Sequence, residues 1–161
     1  MITGSCLCGG VRFQAEKAVG PFELCHCNRC RKRGGAASLP MLRVLSSDFT
    51  MLAGSELIRH YDAPILYRPP AFRSSFCGEC GSPVPSAEPE DESLEIPAGL
   101  LDSDPEIRPD KHIFVEFVPT WDEIRDALPQ YDVPKLALER RGVELPKDFQ
   151  PRKHGNAEPT R

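Results

Sequence analysis

Seven cysteines fall into three groups: Cys6-x-Cys8, Cys25-x-Cys27-x-x-Cys30 and Cys77-x-x-Cys80. This two-three-two spacing constrains the fold more than anything else in the chain. The leading MITGSCLCGG has neither a basic region nor an apolar core of the secretory kind, so the chain is expected in the cytoplasm. Cytosolic thiols stay reduced and an odd number cannot pair fully, so metal ligation is the default reading.

Two of the groups make a four-ligand set. In extended backbone, residues two apart point to one face, so a C-x-C on a strand offers both sulfurs to one ion. The glycines of FCGECGSP let a C-x-x-C turn fold around the same ion. The 69 residues from Cys8 to Cys77 are no obstacle, since loop-closure entropy grows only with the logarithm of length. Zinc held by Cys6, Cys8, Cys77 and Cys80 would be a closed structural site; the bland alternative is that one pair is simply buried free cysteine.

Cys25, Cys27 and Cys30 then remain, three ligands without a fourth. Such a site leaves a position for water or a substrate thiol. Three thiolates on a divalent ion carry a formal charge of about −1, which suits holding an exogenous thiolate better than activating water. Two other readings stand beside it. A histidine, His60 or His112, could close the site, whereas His26 lies between two ligands and should point to the opposite face; His154 falls in the tail. The trio could also act in redox chemistry or metal sensing.

Arg29, Arg31, Lys32 and Arg33 surround the third thiol. They are either a solvated basic run or a means of capturing the carboxylates of an anionic thiol. With 20 Lys and Arg against 24 Asp and Glu, a net charge of −4, and no interleaved aromatics, nucleic acid is not an expected partner. No apolar segment approaches the ~20 residues of a membrane span.

At 161 residues the chain can bury roughly 68–70% of its unfolded surface in one core. Seventeen prolines and twelve glycines cut it into short pieces. Strands are expected at 11–16, 39–45, 49–52, 57–61, 71–76, 93–99 and 112–117, with a loop at 88–93. Thr120 and Glu123 form a capping box, and Trp121, Ile124 and Leu128 share a face before Pro129, which predicts a short core-docked helix. Beyond Asp132 the charged PKLALERRGVELPKDF suits a further helical turn or two, and residues 150–161 read as disordered.

GSCLCGGVRF (4–13), CHCNRCRKRGG (25–35), FCGECGSPV (76–84) and HIFVEFVPTWDEIRDALPQYD (112–132) together resemble the glutathione-dependent formaldehyde-activating enzyme family, which includes animal centromere protein V. The resemblance implies a mainly β, compact zinc-stapled β-tent fold with a short C-terminal helix over residues 1–132, and leaves 133–161 as an extension. It implies two zinc ions per chain, one structural at Cys6, Cys8, Cys77 and Cys80 and one catalytic at Cys25, Cys27 and Cys30. The implied activity is that of a carbon-sulfur lyase, S-(hydroxymethyl)glutathione synthase, with glutathione as the small-molecule thiol and formaldehyde as the aldehyde. The pattern departs from the family after Cys30, where Arg33-Gly34-Gly35-Ala36-Ala37 lacks a polar residue and an aromatic. The alternative to an enzyme is a non-catalytic zinc module for protein interaction or for metal or redox sensing.

Overall fold

The structure is a computed structural model and describes residues 1–63, 71–85 and 91–151. Its elements run β1 (Ile2–Ser5), β2 (Arg12–Ala15), β3 (Phe22–Cys25), α1 (Asn28–Gly34), β4 (Leu39–Leu45), β5 (Phe49–Ala53), β6 (Ile58–Ala63), β7 (Phe72–Cys77), β8 (Ser93–Pro97), β9 (Lys111–Ile113), β10 (Gln130–Tyr131) and α2 (Val133–Arg141). The fold is mainly β with a short C-terminal helix, as expected. No helix among the described residues is long and apolar enough to cross a membrane.

The chain divides into two units: Met1–Glu23, Pro40–Tyr61 and Ser74–Asp110 form one, and Leu24–Leu39, Asp62–Arg73 and Lys111–Arg161 the other. In the first unit β1, β2 and β5 form an antiparallel sheet, with Gly4 opposite Phe13 and Phe13 opposite Met51. Strand β4 pairs antiparallel with β8, Leu42 facing Ile96. Alternation turns Phe13 and Ala15 inward from β2 and Leu94 and Ile96 from β8. They pack with Ile2, Phe22, Leu42, Val44 and Leu100 into one apolar core, against which Phe49 stacks on Phe13 at 5.7 Å between ring centroids. A buried Phe contributes about 1.5–3 kcal/mol by transfer from water alone, so short strands can cohere around this cluster.

In the second unit β9 and β10 pair in parallel. Helix α2 begins at Asp132, whose carboxylate accepts the Lys135 N–H, and ends at Gly142. It buries Val133, Leu136 and Ala137, and Lys111 on β9 reaches its Glu139 at 2.7 Å. The helical turns anticipated beyond Asp132 are therefore present as α2.

Three expectations need correction. The capping-box helix does not form: residues 120–121 make a turn, and Trp121 is 70% exposed with its ring beside the Arg31 guanidinium rather than in a core. Asp126 competes with helical bonding there by accepting the Leu128 N–H. The strand expected over 112–117 stops at Ile113, because Phe114 takes a left-handed conformation (φ 60°) and leads into a 3-10 turn at Val115–Phe117. Cys6-x-Cys8 lies not on a strand but in the turn that follows β1. Strands β1, β3 and β10 were not anticipated. Residues 88–90 of the loop placed at 88–93, and 152–161 of the tail placed at 150–161, with His154, lie outside the described residues.

Gly54 is a point where this packing admits no side chain. Its φ is +78°, and a Cβ would lie 2.3 Å from the Gly10 carbonyl oxygen, backbone that cannot swing aside. Gly54→Ala should therefore destabilise the protein by at least roughly 1–3 kcal/mol, measured by urea denaturation; an unchanged midpoint would contradict the packing described.

Candidate metal centre

Each unit carries one group of thiols. Cys6, Cys8, Cys77 and Cys80 bring their sulfurs within 4.8 Å of one another in the first unit, and Cys25, Cys27 and Cys30 do so in the second.

The four-thiol group is built from two turns. Cys6 donates its N–H to the Val11 carbonyl and accepts from Gly9, and the Val11 N–H points back at Cys6 Sγ at 3.3 Å. In the other turn Cys77 donates to Ser82 and accepts from Gly81, whose φ of +75° closes the chain tightly behind Cys80. Ser82 joins the turns, its Oγ accepting from the Leu7 N–H at 3.0 Å and lying 3.4 Å from Cys80 Sγ. Cys80 is drawn down to about 5, first by the Ser82 side chain and then by its backbone. Sulfur separations of 3.4 Å (Cys6 to Cys8) and 3.9 Å (Cys8 to Cys77) bracket the ~3.8 Å edge of a tetrahedron with 2.3 Å metal–sulfur bonds, so the donor set fits zinc.

In the three-thiol group Cys25 ends β3, Cys27 caps α1 by accepting the Cys30 N–H, and Cys30 lies on the first turn of that helix. All three are buried. Cys27 is drawn down to about 2 by hydrogen bonds from Cys25 and then Cys30, and Cys25 is pushed well above the usual thiol range by the same contacts. Without a cation the three sulfurs share their protons; a cation would hold all three as thiolates.

Among the described residues no histidine or carboxylate oxygen belongs to either group. His26, buried between two of the cysteines, faces away: its Nε2 lies 2.8 Å from His112 Nδ1 and its Nδ1 3.2 Å from the Ala37 carbonyl. Burial holds its pKa below the usual imidazole value, aided by His112. His112 also bonds Asp126 at 3.1 Å. His60 bonds Ser75 Oγ at 3.0 Å instead.

The basic run is α1 itself. Arg29 and Arg33, one helical turn apart, both lie over the Phe72 ring, at 5.1 and 5.9 Å. Arg31 Nη1 donates to Asn28 Oδ1 and to the Phe117 carbonyl at 3.0 Å, and Lys32 is exposed. Sequence reasoning missed Ser82, Phe72, Asp126 and the carbonyls of Ala37 and Phe117. Backbone carbonyls carry no residue signal, and the pairing of His26 with His112 spans 86 positions.

Residues 1–117 match the family described as glutathione-dependent formaldehyde-activating enzyme. A Halomonas elongata protein, provisionally named for the same activity, is 32% identical over 127 residues, covering 77% of this chain and 81% of that protein. A crystal structure of a Rhodobacter sphaeroides protein is similar at 22% identity and a TM-score of 0.47, covering 66% of this chain and 91% of that one. The chain belongs to the glutathione-dependent formaldehyde-activating enzyme family.

The segment behind the thiols also yields a pH test. Glu116 Oε1 accepts the Val133 N–H at the start of α2, while its buried Oε2 has no hydrogen-bond partner. Burial raises the Glu116 pKa. Its contribution is therefore present below the ordinary carboxyl value and is lost as pH rises through the raised one. Glu116→Gln should melt close to the unsubstituted protein at pH 4 and above it at pH 7.5; a gap that does not widen with pH would refute the burial argument.

Proposed function

We propose that this protein is a zinc-dependent carbon-sulfur lyase that joins a thiol, glutathione or a close analogue, to formaldehyde or another small aldehyde. The observation that carries the reading is the group of three convergent thiols, which no histidine, carboxylate or fourth cysteine joins among the described residues. The printed family description and the name of the Halomonas relative point to the same substrates.

In this reading Cys6, Cys8, Cys77 and Cys80 hold one zinc as a structural staple, and Cys25, Cys27 and Cys30 hold a second. Zinc bound there supplies a position at which an incoming thiol loses its proton near neutral pH. The substrate sulfur then adds to the aldehyde carbon, the new C–S bond forming as the carbonyl oxygen takes a proton. Burial of all three cysteines keeps bulk water away from the reacting sulfur. Arg29, Arg31, Lys32 and Arg33 place positive charge along α1, suited to the carboxylates of glutathione. The three guanidinium groups are already braced by aromatic rings or carbonyls, so Lys32 is the freest to follow a ligand.

Calorimetric titration of reduced glutathione into zinc-loaded protein, with S-methylglutathione as control, tests the reading. Binding of the free thiol alone is expected; no binding would favour a purely structural zinc module. Cys77→Ser should abolish folding, whereas Cys30→Ser should leave a folded protein with one zinc fewer. The reverse order in thermal melts and metal analysis would show the ligands wrongly divided. Lys32→Ala should weaken glutathione binding by about two- to fivefold at low salt and leave zinc content unchanged; unaltered affinity would make Lys32 a solvated charge.

A further inference from the structure

The thiol segment is closed on itself by contacts that are not ligands. Helix α1 has only seven residues, too few to persist alone in water, so its position depends on what holds it. Three ties lead to β9 and the chain that follows it. His26 N–H donates to the Ile113 carbonyl at 3.0 Å, Arg31 donates to the Phe117 carbonyl, and the His26 ring meets the His112 ring edge to edge at nitrogen. A fourth, from His26 Nδ1 to the Ala37 carbonyl, spans the whole segment from the first thiol to beyond α1.

The contacts fix how the two rings lie. The Asp126 carboxylate only accepts, so His112 Nε2 donates to it, and His112 Nδ1 is left to meet His26 Nε2 at 2.8 Å. Asp126 faces His112, while Asp122 and, with a smaller influence, Arg31 on α1 face His26. Asp126 is half exposed, so its carboxylate stays hydrated while both rings are buried.

We propose that His112 and Asp126 are positioning residues for the three-thiol site: the carboxylate fixes the His112 ring, which fixes His26, which holds Cys25 and Cys27 in the spacing a metal ion requires. The proposal rests on the reading of Cys25, Cys27 and Cys30 as a metal site. It assigns His112 a role distinct from ligation, since its two ring nitrogens are spent on His26 and Asp126. It also explains why His26 between two ligands is buried rather than exposed.

Asp126→Asn is the discriminating variant, because asparagine keeps the size and the oxygen that accepts the Leu128 N–H but removes the charge. Long-range proton–nitrogen NMR spectra should place a hydrogen on His112 Nε2, the nitrogen facing Asp126, in the unsubstituted protein. In competition with a chromogenic chelator, zinc should leave the three-thiol site on the order of ten- to a hundredfold more readily in the variant, with release from the four-thiol site unchanged. Asp126→Glu should recover much of the loss. A His112 Nε2 without a hydrogen in the unsubstituted protein, or equal zinc release from both proteins, would overturn the proposal. If the unsubstituted protein took up no second zinc, the metal-site reading itself would fall, and the NMR spectra would still decide whether the ring chain exists.

Discussion

Ionised sulfurs repel one another, and that repulsion sets the terms for everything else in this chain. Two unit charges 4 Å apart interact by about 4 kcal/mol at an effective dielectric of about 20, and the four-thiol group contains several such pairs. Short strands around a modest apolar core could not hold such a group together if all its members were charged. Either protons are shared, as the opposed shifts of Cys25 and Cys27 describe, or a cation neutralises the group. A divalent ion turns the repulsion into cohesion, which is why the sulfur spacing near a tetrahedral edge matters more than the mere proximity of cysteines.

The two groups are supported differently. Around the four thiols the backbone provides the scaffold: paired turns, N–H groups aimed at sulfur, and Ser82 joining one turn to the other. Such a site resists change because its ligands are fixed by the chain path. Around the three thiols the scaffold is largely side chains, with Arg31, His26, His112 and Asp126 reaching between segments.

Much of this was legible in the sequence because cysteine spacing is local. The pairing of Cys6-x-Cys8 with Cys77-x-x-Cys80, the separate trio and the outward turn of His26 all follow from which residues neighbour one another along the chain. Strand positions were legible where β-branched and aromatic residues alternate, as in β4 and β8, and illegible in β1 and β3, whose ends merge into the cysteine turns. The helix expected at Thr120 failed because its capping signal was weighed without Asp126, which bonds Leu128 and His112 instead. The basic run read as free charge, yet Phe72 and the Phe117 carbonyl engage its arginines. Those partners lie 39 to 86 positions away, where a single sequence carries no pairing signal.

The central claim is that the three-thiol group binds zinc with one position left for a substrate sulfur. X-ray absorption at the zinc edge of fully loaded protein, before and after addition of glutathione, addresses it directly. The account predicts a mean shell of about 3.5 sulfurs with a light-atom contribution that is replaced by sulfur, approaching about 4, when the thiol is added. A shell that is already all sulfur, or one containing imidazole and unchanged by glutathione, would contradict it.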